Sequence, residues 1–288
     1  MSVREEALQF RCEGHELLGI LSRPAAQAVQ RTALVIVVGG PQYRVGSHRQ
    51  FALLARHLAA QGHAVLRFDY RGMGDAEGEA RDFEDVGPDI GAAIDALLAA
   101  VPEAERVALW GLCDAASAAL IYCAERSDAR VAGLALLNPW ARSAASLART
   151  QVKHYYLQRI MQPSFWLKLL SGKVAGAAWR GLLANLRLAR GAAAGNADAP
   201  RRPFQQRMLA GWQAFQGPVL LLLSDRDHTA KEFLEYCAGD PSWNRALTRA
   251  NLQRLEVADA DHTCSSAAAR ARVETMTAQW LNGLRRTR

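Results

Sequence analysis

Three short stretches place reactive side chains directly after apolar runs. VALWGL (Val107–Leu112) leads into Cys113, PVLLLLS (Pro218–Ser224) into Asp225 and Asp227, and LEVADAD (Leu255–Asp261) into His262. A thiol, a carboxylate and an imidazole in that order can serve as nucleophile, orienting acid and proton carrier. The thiolate would attack an electrophilic carbon. The imidazole would take and return the proton, while the acid fixes its tautomer and stabilises its cation. Gly111 and Ala115, two places either side of Cys113, are the small residues that a sharp strand-to-helix turn requires. The alanine-rich stretch that follows reads as a helix, whose N-terminal amides and positive end favour thiolate. Asp227 is preferred over Asp225 as the acid, because Ser224 three places earlier begins the turn that presents it. His228 abuts that acid on the same turn and is the lesser candidate for the base. Asp261 and Thr263 read as loop formers. Cys12, Cys123, Cys237 and Cys264 read as small buried hydrophobes.

The elements needed to position these groups follow from hydrophobic patterning. Alternating Leu8, Phe10 and Cys12, a Glu13-Gly14 turn and Leu17–Leu21 predict an N-terminal hairpin. Continuous apolar runs predict buried strands at Ala33–Val38, Ala64–Asp69, Val107–Trp110, Val131–Leu137, Pro218–Leu223 and Leu252–Val257. Helical stretches separate them: Phe51–Ala60, Asp85–Val101, Ala115–Arg126, Lys231–Tyr236 and Ser265–Leu284. Such alternation predicts an α/β fold, a mostly parallel central sheet with helices on both faces and its site beyond the strands' carboxyl ends. The rhythm breaks once. Residues 139–216 show no strand pattern but carry a helical stripe, Phe165, Leu169, Gly172, Gly176, Trp179, Leu183 and Leu186, and then a loose Gly191–Pro203 tract. The expected organisation is a core of residues 1–138 and 217–288, with 139–216 inserted after the sixth strand as a helical lid.

In this order, the hairpin, the Gly39-Gly40 loop, FDYRGMGDAEG (Phe68–Gly78), the cysteine turn, the late acid and the final histidine resemble the α/β-hydrolase superfamily over essentially the whole chain. A finer resemblance is to the hydrolases associated with the exosortase A system, found in exopolysaccharide gene clusters. VVGGPQYRVGSHRQF (Val37–Phe51), RFDYRGMGD (Arg67–Asp75) and GLCDAASAAL (Gly111–Leu120) carry it. The resemblance implies an α/β-hydrolase fold with a lid and a Cys113-His262-Asp227 triad. Cysteine replaces the usual serine, as it does in dienelactone hydrolases. The usual His-Gly of the oxyanion loop is Gly39-Gly40, and Pro41 after it has no N–H to donate. The oxyanion must then rest on the amide of Gln42 or a neighbour, together with that of Asp114. Gly40, Arg44 and His48 are candidate pocket residues. Asp69, Arg71 and Asp75 are expected to hold a loop together. Asp114 is the anomaly, since a carboxylate beside the nucleophile opposes thiolate unless it is turned away or paired.

Of the chain's 288 residues, 50% are hydrophobic and 22% charged, as in a soluble globular protein. No apolar run is long enough to span a bilayer. The acidic MSVREEALQFRCEG start lacks a signal peptide's apolar core, and five scattered cysteines form no CxxC pair, so a reducing cytoplasm is the expected setting. No metal or cofactor motif is present, and this chemistry needs none. The net charge of +7 is local: residues 141–215 hold twelve Lys/Arg, Arg207 among them, against the single acid Asp198. That basic lid reads in three ways. It is a solvated face, a site for an anionic handle such as phosphopantetheine or a lipid diphosphate, or a membrane-surface contact through Lys173, Arg180 and Arg187. Nucleic acid is not expected, because no binding motif accompanies the charge. The leading expectation is an ester or thioester hydrolase or acyltransferase (a thioesterase-like reaction) acting on a small acyl substrate. The alternative is a non-catalytic scaffold of a polysaccharide-assembly complex.

Overall fold

A computed structural model describes residues 3–25, 28–40, 42–141 and 201–284. In chain order its strands are β1 (Val3–Cys12), β2 (His15–Pro24), β3 (Thr32–Val37), β4 (Val65–Phe68), β5 (Arg106–Leu112), β6 (Val131–Leu137), β7 (Val219–Ser224) and β8 (Leu252–Val257). The α-helices are α1 (Gln50–Ala59), α2 (Gly87–Ala100), α3 (Asp114–Glu125), α4 (Phe204–Ala214), α5 (His228–Ala238), α6 (Pro241–Ala246) and α7 (Ala267–Gly283). The strands form one eight-stranded sheet in the order β1-β2-β4-β3-β5-β6-β7-β8. β2 runs antiparallel to both β1 and β4, and every other pairing is parallel.

The central strands are apolar on both sides because both sides are covered. Val35, Leu109 and Leu134 pack on one face with Ile90, Ile94, Leu120 and Met208. Their neighbours in sequence, Leu34, Ala108 and Ala135, pack on the other with Leu54, Leu58 and Leu281. This period of two, apolar at every step, is what a strand between two helical layers must show. The reactive residues all follow parallel strands and so share one edge.

The described residues up to Ala141 and from Pro203 onward form one compact unit. Residues 204–214 of the expected insertion, 139–216, lie in this unit. Helix α4 belongs with the sheet, and its Gly211 lies so close to α3 that a β-carbon there would stand 1.8 Å from the Leu120 carbonyl oxygen. Arg207 on α4 is buried and paired with Glu84 and Glu125. One of the twelve basic residues of 141–215, it is neutralised inside this unit. The Phe165–Leu186 stripe and Lys173, Arg180 and Arg187 lie outside the described residues.

Candidate active site

Cys113 sits on a turn that only tight local packing can hold. Its backbone is at φ 62° and ψ -124°, a conformation that is strained for any residue with a β-carbon. β6 supports the turn: Cys113 N–H donates to the Leu137 carbonyl at 2.9 Å, and Trp140 N–H donates to the Cys113 carbonyl at 3.1 Å. Ser117 Oγ donates to the Trp140 carbonyl at 2.7 Å, closing the loop onto α3. A β-carbon on Gly111 would lie 2.6 Å from the Ala115 backbone, which is why the small residues flank the cysteine. Cys113 is also the residue that precedes α3, so the helix's free amides begin beside the sulfur.

The acid and the imidazole meet at the same edge. Asp227 Oδ2 and His262 Nδ1 lie 2.9 Å apart, with Asp227 buried and His262 partly exposed. Asp227 also caps α5, accepting from Thr229 N–H at 3.0 Å and from Ala230 N–H at 3.3 Å. The helix start thus fixes the carboxylate that faces the imidazole. The Asp227 bond, followed by interaction with the Cys113 sulfur, raises the His262 pKa from 6.5 to about 10. The imidazole is held in its cationic form by the two groups it would serve.

Asp225 takes a different role. Its carboxylate accepts from Asp259 N–H at 2.9 Å and Ala260 N–H at 3.0 Å, tying the loop that carries His262 to the end of β7. His228 is exposed as the first residue of α5. Asp261 caps its own turn by accepting from Ser265 N–H at 2.9 Å. Burial pushes the thiols of Cys12 and Cys264 up to about 11 and those of Cys123 and Cys237 up to about 12, so all four stay neutral at ordinary pH.

On the opposite side of Cys113, Asp114 turns toward the Gly39-Gly40 loop. Its Oδ2 accepts from Gly40 N–H at 2.8 Å and its Oδ1 from Ala115 N–H at 2.9 Å. Desolvation nonetheless holds its carboxyl above the usual range, with these amides pulling it back. Gln42 uses its side-chain oxygen to accept from Ser47 N–H at 3.1 Å, closing the turn that leads to α1. Gly40 and Gln42 border a cleft of about 460 Å³ with Tyr43, Tyr70 and Met73. Pro41 lies outside the described residues.

Arg44 and His48 are not among the residues bordering that cleft, and neither are Cys113 and His262. Arg44 is paired with Asp69 and Asp75, and its backbone N–H also donates to Asp69 at 2.6 Å. It ties the two loops together. His48 is exposed, in the left-handed region at φ 54°. Arg71 is likewise structural, buried against Asp89 with Nη2 to Oδ2 at 2.8 Å.

Asn138 is a residue that sequence reasoning missed. Wholly buried at the end of β6, it accepts from Ser224 N–H at 2.8 Å and donates to Ser224 Oγ at 3.0 Å and to the His262 carbonyl at 3.5 Å. It joins the end of β7, which leads to Asp227, to the loop that carries His262. The available signal was an asparagine immediately after an apolar run and before Pro139. Among the described residues no cluster of His, Cys, Asp and Glu could hold a metal ion, and no helix is long and apolar enough to cross a membrane.

A parallel sheet with a strained cysteine turn after β5, an acid after β7 and a histidine after β8 matches the α/β-hydrolase arrangement. The chain belongs to the alpha/beta hydrolase family, whose model matches residues 34–274. No curated protein sequence matches it. Solved structures with the same fold include the Pyrococcus furiosus esterase Pf2001, with a TM-score of 0.65 and 16% identity over 98% of this chain and 92% of that one. A dienelactone hydrolase from Anabaena variabilis superposes with a TM-score of 0.62 and 14% identity over 98% of this chain and 99% of that one. Est1E from Butyrivibrio proteoclasticus, solved with ferulic acid bound, has a TM-score of 0.62 and 14% identity over 96% and 100% of the two chains.

Proposed function

We propose that this chain is an ester or thioester acyl hydrolase or acyltransferase working through an acyl-cysteine on Cys113, in the cytoplasm and in the service of exopolysaccharide biosynthesis. The observation that carries the reading is the 2.9 Å Asp227–His262 pair, whose imidazole also interacts with a cysteine on a strained turn. The thiolate attacks the acyl carbon, and the carbonyl electrons move to oxygen. The amides of Asp114 and Gln42 receive that oxyanion. Collapse expels an alkoxide or thiolate, which takes its proton from the His262 imidazolium. Neutral His262 then draws a proton from water or an acceptor hydroxyl, whose attack on the thioester restores the Cys113 thiolate. Asp227 keeps the imidazole oriented throughout. A sulfur leaving group suits activated acyl groups better than amides, because it departs more readily than an amine. The exosortase-associated setting rests on the sequence resemblance. An anionic handle on the substrate, or a membrane surface, would meet the basic segment that follows Arg142.

Intact mass after incubation with acyl thioesters and activated esters tests the mechanism. An acyl adduct on Cys113 that is absent from Cys113→Ala is expected, together with loss of turnover in that variant. Full activity of Cys113→Ala would sink it. Absence of any adduct or turnover would favour the non-catalytic scaffold reading.

A further inference from the structure

A carboxylate next to a nucleophilic thiolate repels both the thiolate and the oxyanion formed from it. Asp114 is nevertheless held in place on both of its oxygens. One takes the Gly40 amide at 2.8 Å and the other the Ala115 amide at 2.9 Å, so the negative charge faces backbone N–H groups. The fit is close, because a β-carbon on Gly39 would stand 2.1 Å from Asp114 Oδ1. Gly40 itself lies at φ 60°. The side chain thus bridges 74 positions of sequence, from the turn after β5 to the loop after β3.

We propose that Asp114 is a positioning residue, a latch that ties the Gly39-Gly40 backbone to the nucleophile turn and so sets where the chain emerges at Gln42. The Gly40 amide is therefore a structural donor that does not bind the oxyanion. The charge that looks adverse in the sequence orders the loop on which transition-state stabilisation depends. An apolar side chain at this position would leave the Gly40 amide without its partner and the loop free to shift. The catalytic consequence rests on the acyl-transfer reading of Cys113, whereas the latch itself does not.

Two measurements test it on the full chain. Amide hydrogen exchange at Gly40, followed by NMR, is expected to speed up at least tenfold in Asp114→Ala. Asp114→Asn should fall between Ala and wild type, since one carbonyl oxygen can serve only one of the two amides. Steady-state kinetics with whichever acyl donor labels Cys113 should show kcat lowered tenfold or more in Asp114→Ala with KM within about twofold, and partial rescue in Asp114→Asn. Thermal unfolding of both variants identifies any that fail to fold, and exchange in Asp114→Asn then decides alone. Unchanged Gly40 exchange overturns the latch. So does a kcat for Asp114→Ala at or above wild type, which would mean the freed amide serves the oxyanion better. If wild type turns over no acyl donor, the acyl-transfer reading fails, and the exchange result alone decides the latch.

Discussion

His262 gathers the electrostatics of the site. Asp227 first, and the Cys113 sulfur second, raise its pKa from 6.5 to about 10. In the proposed mechanism this imidazolium protonates the leaving group, so it should persist well into alkaline pH, and kcat/KM should fall as pH rises through about 10. Replacing Asp227 with Asn removes the larger cause. The alkaline limb is expected to move down, and kcat to fall on the order of a thousandfold to ten-thousandfold, read from pH–rate profiles. The other four cysteines set up a second expectation. Burial keeps them as neutral thiols, so limited iodoacetamide should label Cys113 first, checked by peptide mass mapping. The three candidate residues could be picked out because each follows an apolar run within a few positions. Arg44's role could not: its partners Asp69 and Asp75 come from another loop, and only the folded chain brings them near.

Helix α5 begins at the same carboxylate that faces His262, and this allows two roles to be separated. Asp227→Asn keeps an acceptor for the helix amides, whereas Asp227→Ala removes it. Both should lose activity, but the alanine variant should be less stable than the asparagine variant by about 0.5–2 kcal/mol in urea unfolding. Helix α4 offers a packing test. Gly211→Ala forces a methyl against the Leu120 carbonyl and is expected to cost about 1–3 kcal/mol in the same assay. Strand positions were readable from the sequence, because a strand covered on both faces is apolar at every step. Sheet order was not, since pairing β4 with both β2 and β3 depends on contacts far apart in the chain. α4 was absorbed into the basic insertion for a similar reason. Nothing local reveals that Arg207 is met by Glu84, 123 positions away.

For the molecule as a whole, the Asp227–His262 pair links folding to pH. Because the folded pKa of His262 lies above its unfolded value, the stability from this pair is complete below about pH 6.5 and disappears as pH rises through about 10. Unfolding midpoints measured from pH 6 to pH 10.5 should decline more steeply in wild type than in His262→Gln. Among the described residues, the non-glycine positions with positive φ are Glu13, His48, Arg49, Cys113, Asn138, Asp259 and Cys264. All but Glu13 lie beyond the carboxyl ends of parallel strands. Conformational strain is concentrated at the edge where the chemistry would occur. Heat resistance and turnover should therefore compete for the same few residues. Variants selected only for survival at high temperature are expected to relax this edge first, with glycine at Arg49 or Asp259, and to lose speed where the relaxation reaches Asn138 or Cys113.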